Sequence, residues 1–226
     1  MKTRLSALAA LLTITLHTHG AVLAPGTLAD YLALGPGGGT IGTTTFSSFL
    51  LQPLQTGATA IAPADVLVTP INLAGSPTLQ FGFTQAAAAG GLFEMHISYQ
   101  VSALALLGAS VALGNVTALG DAAVTAVLAL TGPSPVPPSL IALETSFISI
   151  PSDATAFASA AALNVDFGVV IDGGLAGSAS LGLVTNQFTV PFTASVPDSG
   201  TSLLLLASGL CALGIMRHLL PVASRV

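Results

Sequence analysis

From Phe93 to Ala103 the chain alternates without a break: Phe93, Met95, Ile97, Tyr99, Val101 and Ala103 are apolar, while Glu94, His96, Ser98, Gln100 and Ser102 are polar. Successive side chains of a strand point to opposite faces, so a period of two over this length specifies an extended strand with one buried and one wet face. A helix would scatter those apolar positions around its circumference. Tyr99 then points inward, and Glu94 and His96 point to water.

The same period recurs at Leu79, Phe81 and Phe83, and at Val165, Phe167, Val169 and Ile171. Further strands are expected over Val66 to Leu73, Ser110 to Leu119, Ala122 to Leu130, Leu140 to Ile150 and Leu181 to Phe192. Between these runs stand Gly35-Pro36-Gly37-Gly38-Gly39, Gly75-Ser76-Pro77, Gly90-Gly91, Gly132 to Pro138 and Asp172-Gly173-Gly174, which are turn and loop chemistry. Short strands at this spacing predict an all-β body, an antiparallel β-sandwich of jelly-roll or Ig-like type, over residues 21–195. Ala154 to Ala162 fits either a short helix or an extended run, because alanine favours helix while Thr155, Phe157 and Ser159 alternate.

Charge is confined in an unusual way. Only 6% of the 226 residues are charged, against about 25% in ordinary soluble domains. All four basic residues are terminal, Lys2, Arg4, Arg217 and Arg225, so no Lys or Arg stands between Leu5 and Met216. Nucleic acid is excluded as a partner, because phosphate neutralisation needs clustered cations. Gly35 to Gly39 lacks the Gly-Lys-Ser/Thr ending of a phosphate-cradling loop, which removes nucleotides as well. An anionic body without lysine gatekeepers could self-associate through unpaired sheet edges.

Few residues offer chemistry. Cys211 is the only cysteine and lies in the C-terminal apolar run, so the body has neither disulfide nor thiolate metal site. His96 beside Glu94 is the one place for a general acid–base pair, although alternation alone puts any two such residues on one face, and no Gly-x-Ser-x-Gly accompanies them. Asp153, Asp166 and Asp172 are candidate Ca²⁺ ligands without a D-x-D-x-D-G pattern, and Asp172-Gly173-Gly174 reads better as a hairpin turn. With no Trp and only Tyr31 and Tyr99, stacking on sugars is not expected; Asn115-Val116-Thr117 is a chance-level glycosylation match. No catalytic, cofactor-binding or metal residue is assigned.

The two ends carry membrane signals. Met1 to Arg4 followed by the apolar run Leu5 to Leu16 has the charge and length of a secretory signal peptide, with the cut placed near Gly20 or Ala21. His17 and His19 would leave with it. At the other end Val196-Pro197-Asp198-Ser199-Gly200 precedes a charge-free, Leu-rich run at about 201–216, sixteen positions that would reach roughly 24 Å as a helix. Leu219, Leu220 and Val222 could extend it, and Arg217, His218 and Arg225 behind it favour a cytoplasmic tail, with the body outside.

This order of pentapeptide, apolar helix and basic residue, over residues 196–226, resembles the PEP-CTERM sorting signals in their VPDSG variant. The resemblance implies recognition and cleavage by an exosortase, with Val196, Pro197, Asp198, Ser199, Gly200 and Arg217 as the sorting residues. It implies a bacterial protein, exported by the secretion machinery and signal peptidase, held transiently in the inner membrane, then released to the cell surface or an exopolysaccharide matrix. The resulting expectation is three parts: signal peptide 1–20, exported body 21–195 and sorting segment 196–226. The body is read as a non-enzymatic surface or matrix protein, with a secreted hydrolase or metal-dependent enzyme and an envelope binding module as alternatives.

Overall fold

The computed structural model describes residues 21–54, 57–73, 75–132 and 139–191. Residues 1–20, 55–56, 74, 133–138 and 192–226, which take in the expected signal peptide and the expected sorting segment, lie outside the described residues. Strand accounts for 72% of what is described, and the protein is all-β and mostly antiparallel.

In chain order the elements are β1 Ala21–Val22, β2 Gly26–Thr27, α1 Leu28–Leu32, β3 Gly39–Ile41, β4 Thr44–Leu51, β5 Thr59–Ala60, β6 Leu67–Leu73, β7 Ser76–Ala88, β8 Leu92–Leu119, β9 Ala123–Thr131, β10 Ser139–Thr145, β11 Ser149–Ile150, β12 Ser152–Asp172 and β13 Ser178–Thr189. One hydrogen-bonded path runs β11-β10-β9-β12-β8-β13-β7-β6-β2, with β4 and β5 joined to β8 and β3 joined to β1 and β4.

The expected strands at Phe93–Ala103 and Ser110–Leu119 are one strand. A straight strand of 28 residues would run about 90 Å at roughly 3.3 Å per residue, longer than a body of this size, so β8 bends. Its first half pairs with β4 on one side and the end of β12 on the other; its second half pairs with β13 and the start of β12. The bend lies where the β12 register slips, between Ala156 and Ala162, and Leu104 there is 91% exposed. Small side chains let the two strands turn together: a methyl on Gly108 would meet the Thr155 carbonyl oxygen at 2.7 Å. The Ala154–Ala162 run is therefore extended, its helix preference overridden by pairing.

The folded-over sheet brings strands that are not neighbours in the path face to face. Phe81 on β7 meets Phe167 on β12 with ring centroids 4.9 Å apart, and Phe46 on β4 meets Phe188 on β13 at 5.8 Å. All four rings are fully buried, joined by Leu79, Met95, Ile97, Leu106, Leu128 and Leu163. Inside this core the Tyr99 hydroxyl accepts a hydrogen bond from Asn186 Nδ2 at 3.1 Å, and burial raises the phenol far above its ordinary value.

Sheet edges are less open than the composition implied. Asp153 Oδ2 accepts from the Ile141 N–H of β10 at 3.0 Å, occupying a donor that a second chain would need. On the far side β2 leads into α1, held by a capping box in which Asp30 accepts from Thr27 N at 2.7 Å and Asp30 N donates to Thr27 Oγ1 at 3.3 Å.

Candidate functional site

Glu94 and His96 sit at the start of β8, on the face that alternation assigns to water. The structure corrects this for Glu94, which is only 1% exposed. The cover comes from the chain between β4 and β6. β5 pairs in parallel with β8, setting Ala60 opposite Glu94; Ile61 N donates to the Glu94 carbonyl at 3.0 Å, and Gln52 N donates to the His96 carbonyl at 2.9 Å. Pro63–Asp65 then closes the segment in a single 3-10 turn. Without β5 the strand would keep the wet face that its sequence predicts.

Glu94 Oε1 lies 2.8 Å from His96 Nε2, and the imidazole is 29% exposed. On the neighbouring strand β12, Gly168 stands in register with His96. A Cβ at that glycine would lie 2.8 Å from His96 Cε1 and 3.1 Å from each ring nitrogen, so the ring rests where a side chain would otherwise stand. The carboxylate on one side and the bare glycine on the other fix the imidazole.

The pair lines a cleft of about 210 Å³, walled otherwise by Leu51, Leu54, Ile61, Pro63, Met95 and smaller neighbours, with the Gln52 amide at its margin. Glu94 and His96 are its only titratable side chains among the described residues. Gln52 Nε2 donates to Ser98 Oγ at 2.6 Å, so that hydroxyl faces the amide. An apolar cleft ended by a carboxylate and an imidazole can hold a small amphipathic molecule by its polar head, and can relay a proton to it.

Farther along the same face a groove of about 230 Å³ is lined by Ser48, Leu50, Ser98, Tyr99, Gln100 and Asn164. It opens at a bulge of β4, where the register slips between Ser47 and Leu50 and Ser48 takes φ 57°.

The three candidate Ca²⁺ ligands do not converge. Asp166 and Asp172 are six residues apart on β12, roughly 20 Å in an extended chain, and Asp153 is at the other end of that strand, bonded to Ile141 N and Ala154 N. Asp172 Oδ1 accepts from Gly174 N at 2.8 Å inside the β12–β13 hairpin, where Gly174 has φ 64°. Among the described residues no group of three or more His, Cys, Asp or Glu side chains is placed to hold a metal.

Asp121 carries a role that sequence reasoning missed. Its two oxygens accept from Leu175 N at 2.8 Å and Ala176 N at 3.0 Å, tying the β8–β9 turn to the β12–β13 turn and holding its carboxyl below the ordinary value. The fifty-residue separation leaves no local signal for it. The sorting residues Val196, Pro197, Asp198, Ser199, Gly200 and Arg217 lie outside the described residues. No helix among the described residues is long and apolar enough to cross a membrane.

Residues 195–219 match the family model of the VPDSG-CTERM motif. No curated protein and no solved structure matches the chain.

Proposed function

Starting from the VPDSG-CTERM motif at residues 195–219, we propose that this is an exported bacterial surface or extracellular-matrix protein whose C-terminal segment is cut by an exosortase. In this reading residues 1–20 are the signal peptide removed on export, 21–195 the delivered body, and 201–216 a helix that holds the chain in the inner membrane until cleavage near Val196 to Gly200, with Arg217 on the cytoplasmic side. The body is a β-sandwich, a description supported by the ring contact of Phe81 with Phe167 across the folded sheet. Its role is non-enzymatic.

The motif match is the observation that carries the reading. The body agrees with it in kind: a chain without Lys or Arg from Leu5 to Met216 has nothing to retain it on anionic lipid or nucleic acid once the tail is gone.

Intact mass together with N- and C-terminal peptide sequencing, on protein recovered from the envelope and medium of its native host, tests both ends. Loss of about the first twenty residues and of the segment beyond about Val196 is the expected result. A retained tail refutes exosortase processing; a retained Met1 refutes the signal peptide.

A further inference from the structure

We propose that one end of the body is a lipid-binding crown, which enters the surface of a zwitterionic bilayer independently of how the chain is sorted. Four turns make this end: 89–91 between β7 and β8, 120–122 between β8 and β9, 146–148 between β10 and β11, and 173–177 between β12 and β13. They are bonded to one another. Ser146 Oγ donates to the Gly120 carbonyl, Gly90 N donates to the Gly174 carbonyl at 2.6 Å, and the Asp121 carboxylate accepts from Leu175 N and Ala176 N. Both halves of β8 run away from this end, since Leu92 pairs with Asp172 and Leu119 with Ser178. The bend at Leu104 is therefore at the other end of the body.

The large apolar side chains of the crown stand outward. Phe147 and Leu175 are each 90% exposed and Leu119 is 63% exposed, with Ile148 half-exposed beside Phe147. Carried on separate turns, they form projecting knobs rather than a groove. A deformable apolar medium accommodates such a shape, and a clustered apolar surface of this kind marks a contact with membrane or protein.

Backbone pairing singles out lipid. Turn N–H groups ordinarily bond to water, and a turn that leaves water for a bilayer must satisfy them within the protein. Here Phe147 N and Ile148 N donate to Thr145 Oγ1 at 3.2 and 2.8 Å, and Gly174 N donates to Asp172 Oδ1 at 2.8 Å. Leu175 N and Ala176 N donate to Asp121 at 2.8 and 3.0 Å. The residues that carry the exposed Phe147, Ile148 and Leu175 side chains thus have their amides bonded before any membrane is met.

Charge decides which lipid. Of nine acidic residues only Asp198 falls outside 21–195, and no Lys or Arg lies inside it, so an anionic bilayer repels the body and a zwitterionic one does not. Asp121 and Asp172 at the base of the crown limit entry to the interfacial layer, about 5–10 Å deep. The same carboxylates disfavour a second copy as the partner, because two apposed crowns would bring like charges together.

The test uses the full chain carrying Cys211→Ser, reconstituted into phosphatidylcholine vesicles with excess protein-free vesicles present, with or without doxyl groups on the acyl chains. An environment-sensitive fluorophore is attached through Leu175→Cys at the crown or Leu104→Cys at the bend. Both positions are about nine-tenths exposed, so the core is untouched, and both chains keep the same terminal segments. The expected result is a blue shift and doxyl quenching at position 175, with neither at position 104. Adding Phe147→Ser should lower the ratio of inserted to free crown about tenfold or more, and replacing part of the lipid by phosphatidylglycerol should weaken the quenching. Equal quenching at both positions, none at position 175, or stronger quenching in the anionic vesicles would each overturn the proposal. So would a blue shift at position 175 that grows with protein concentration without doxyl quenching, which marks contact between copies.

Discussion

Gly168→Ala probes how the imidazole is held. The new methyl would stand 2.8 Å from His96 Cε1 and 3.1 Å from both ring nitrogens, so the ring must retreat by roughly half an ångström to reach ordinary contact. Because one side of His96 is exposed the ring can swing outward, at about 0.5–1.5 kcal/mol for leaving its rotamer well. Moving it also pulls Nε2 from the Glu94 carboxylate in its buried setting, adding about 1–3 kcal/mol. A total of about 2–4 kcal/mol corresponds to a fall in Tm of about 5–15 °C for a domain of this size. Urea and thermal unfolding, followed by fluorescence of Tyr31 and Tyr99 since the chain has no Trp, would measure it. The decisive comparison is the same substitution in a His96→Ala background. There the obstacle is gone, and an alanine in a strand interior should be neutral or slightly stabilising relative to glycine. A coupling of at least about 1 kcal/mol is expected; an equal cost in both backgrounds would refute the account of the ring.

Other outcomes follow from the same coordinates. Phe167→Ala, which empties a fully buried position against Phe81, should cost about 3–5 kcal/mol, read as a fall in Tm of roughly 6–20 °C. Tyr99→Phe deprives the buried Asn186 amide of its acceptor and should cost about 1–3 kcal/mol in urea unfolding; a neutral result would mean that the amide finds another partner. The Asp121 carboxyl is held below 3.8 in the folded state, so its tether is complete above that pH and weakens as pH falls through the lowered value. Amide exchange at Leu175 and Ala176, corrected for intrinsic rate, should accelerate over that acid range in the native chain and lose this dependence in Asp121→Asn.

The strands that announce themselves in the sequence are those with an unbroken period of two. Phe93 to Ala103 and Val165 to Ile171 are strand residues with Met95, Ile97, Tyr99, Val165 and Phe167 buried, as alternation requires. Continuity through Ala103 to Gly108 was not legible, because Leu104, Leu106 and Leu107 interrupt the polar–apolar rhythm at the bend. β4 has no legible period for a related reason: at its bulge the adjacent residues Phe46 and Ser47 are both in the interior, which breaks the count. α1 has only five residues, too few for a helical period to emerge. Glu94 and His96 were visible as a pair, but their cleft was not, since it depends on a two-residue strand arriving from more than thirty positions upstream. Asp166 and Asp172, by contrast, are kept apart by the straightness of the strand that carries them.

The bent β8 bears on the order in which the chain can fold. Before residue 92 has been made, β4 has only the three-residue β3 to lie against and β5 has no strand partner, and the core rings Phe46 and Phe81 await Phe188 and Phe167. The second half of β8 in turn waits for β13, which ends at Thr189. The pairings that close the core, β8 with β4, β12 and β13 and β7 with β13, thus join segments far apart in the chain, which makes closure slow, on the scale of milliseconds to seconds. A polypeptide of which only the first half has emerged holds no finished layer, so on the export route proposed above the chain would stay threadable until nearly all of the body has crossed.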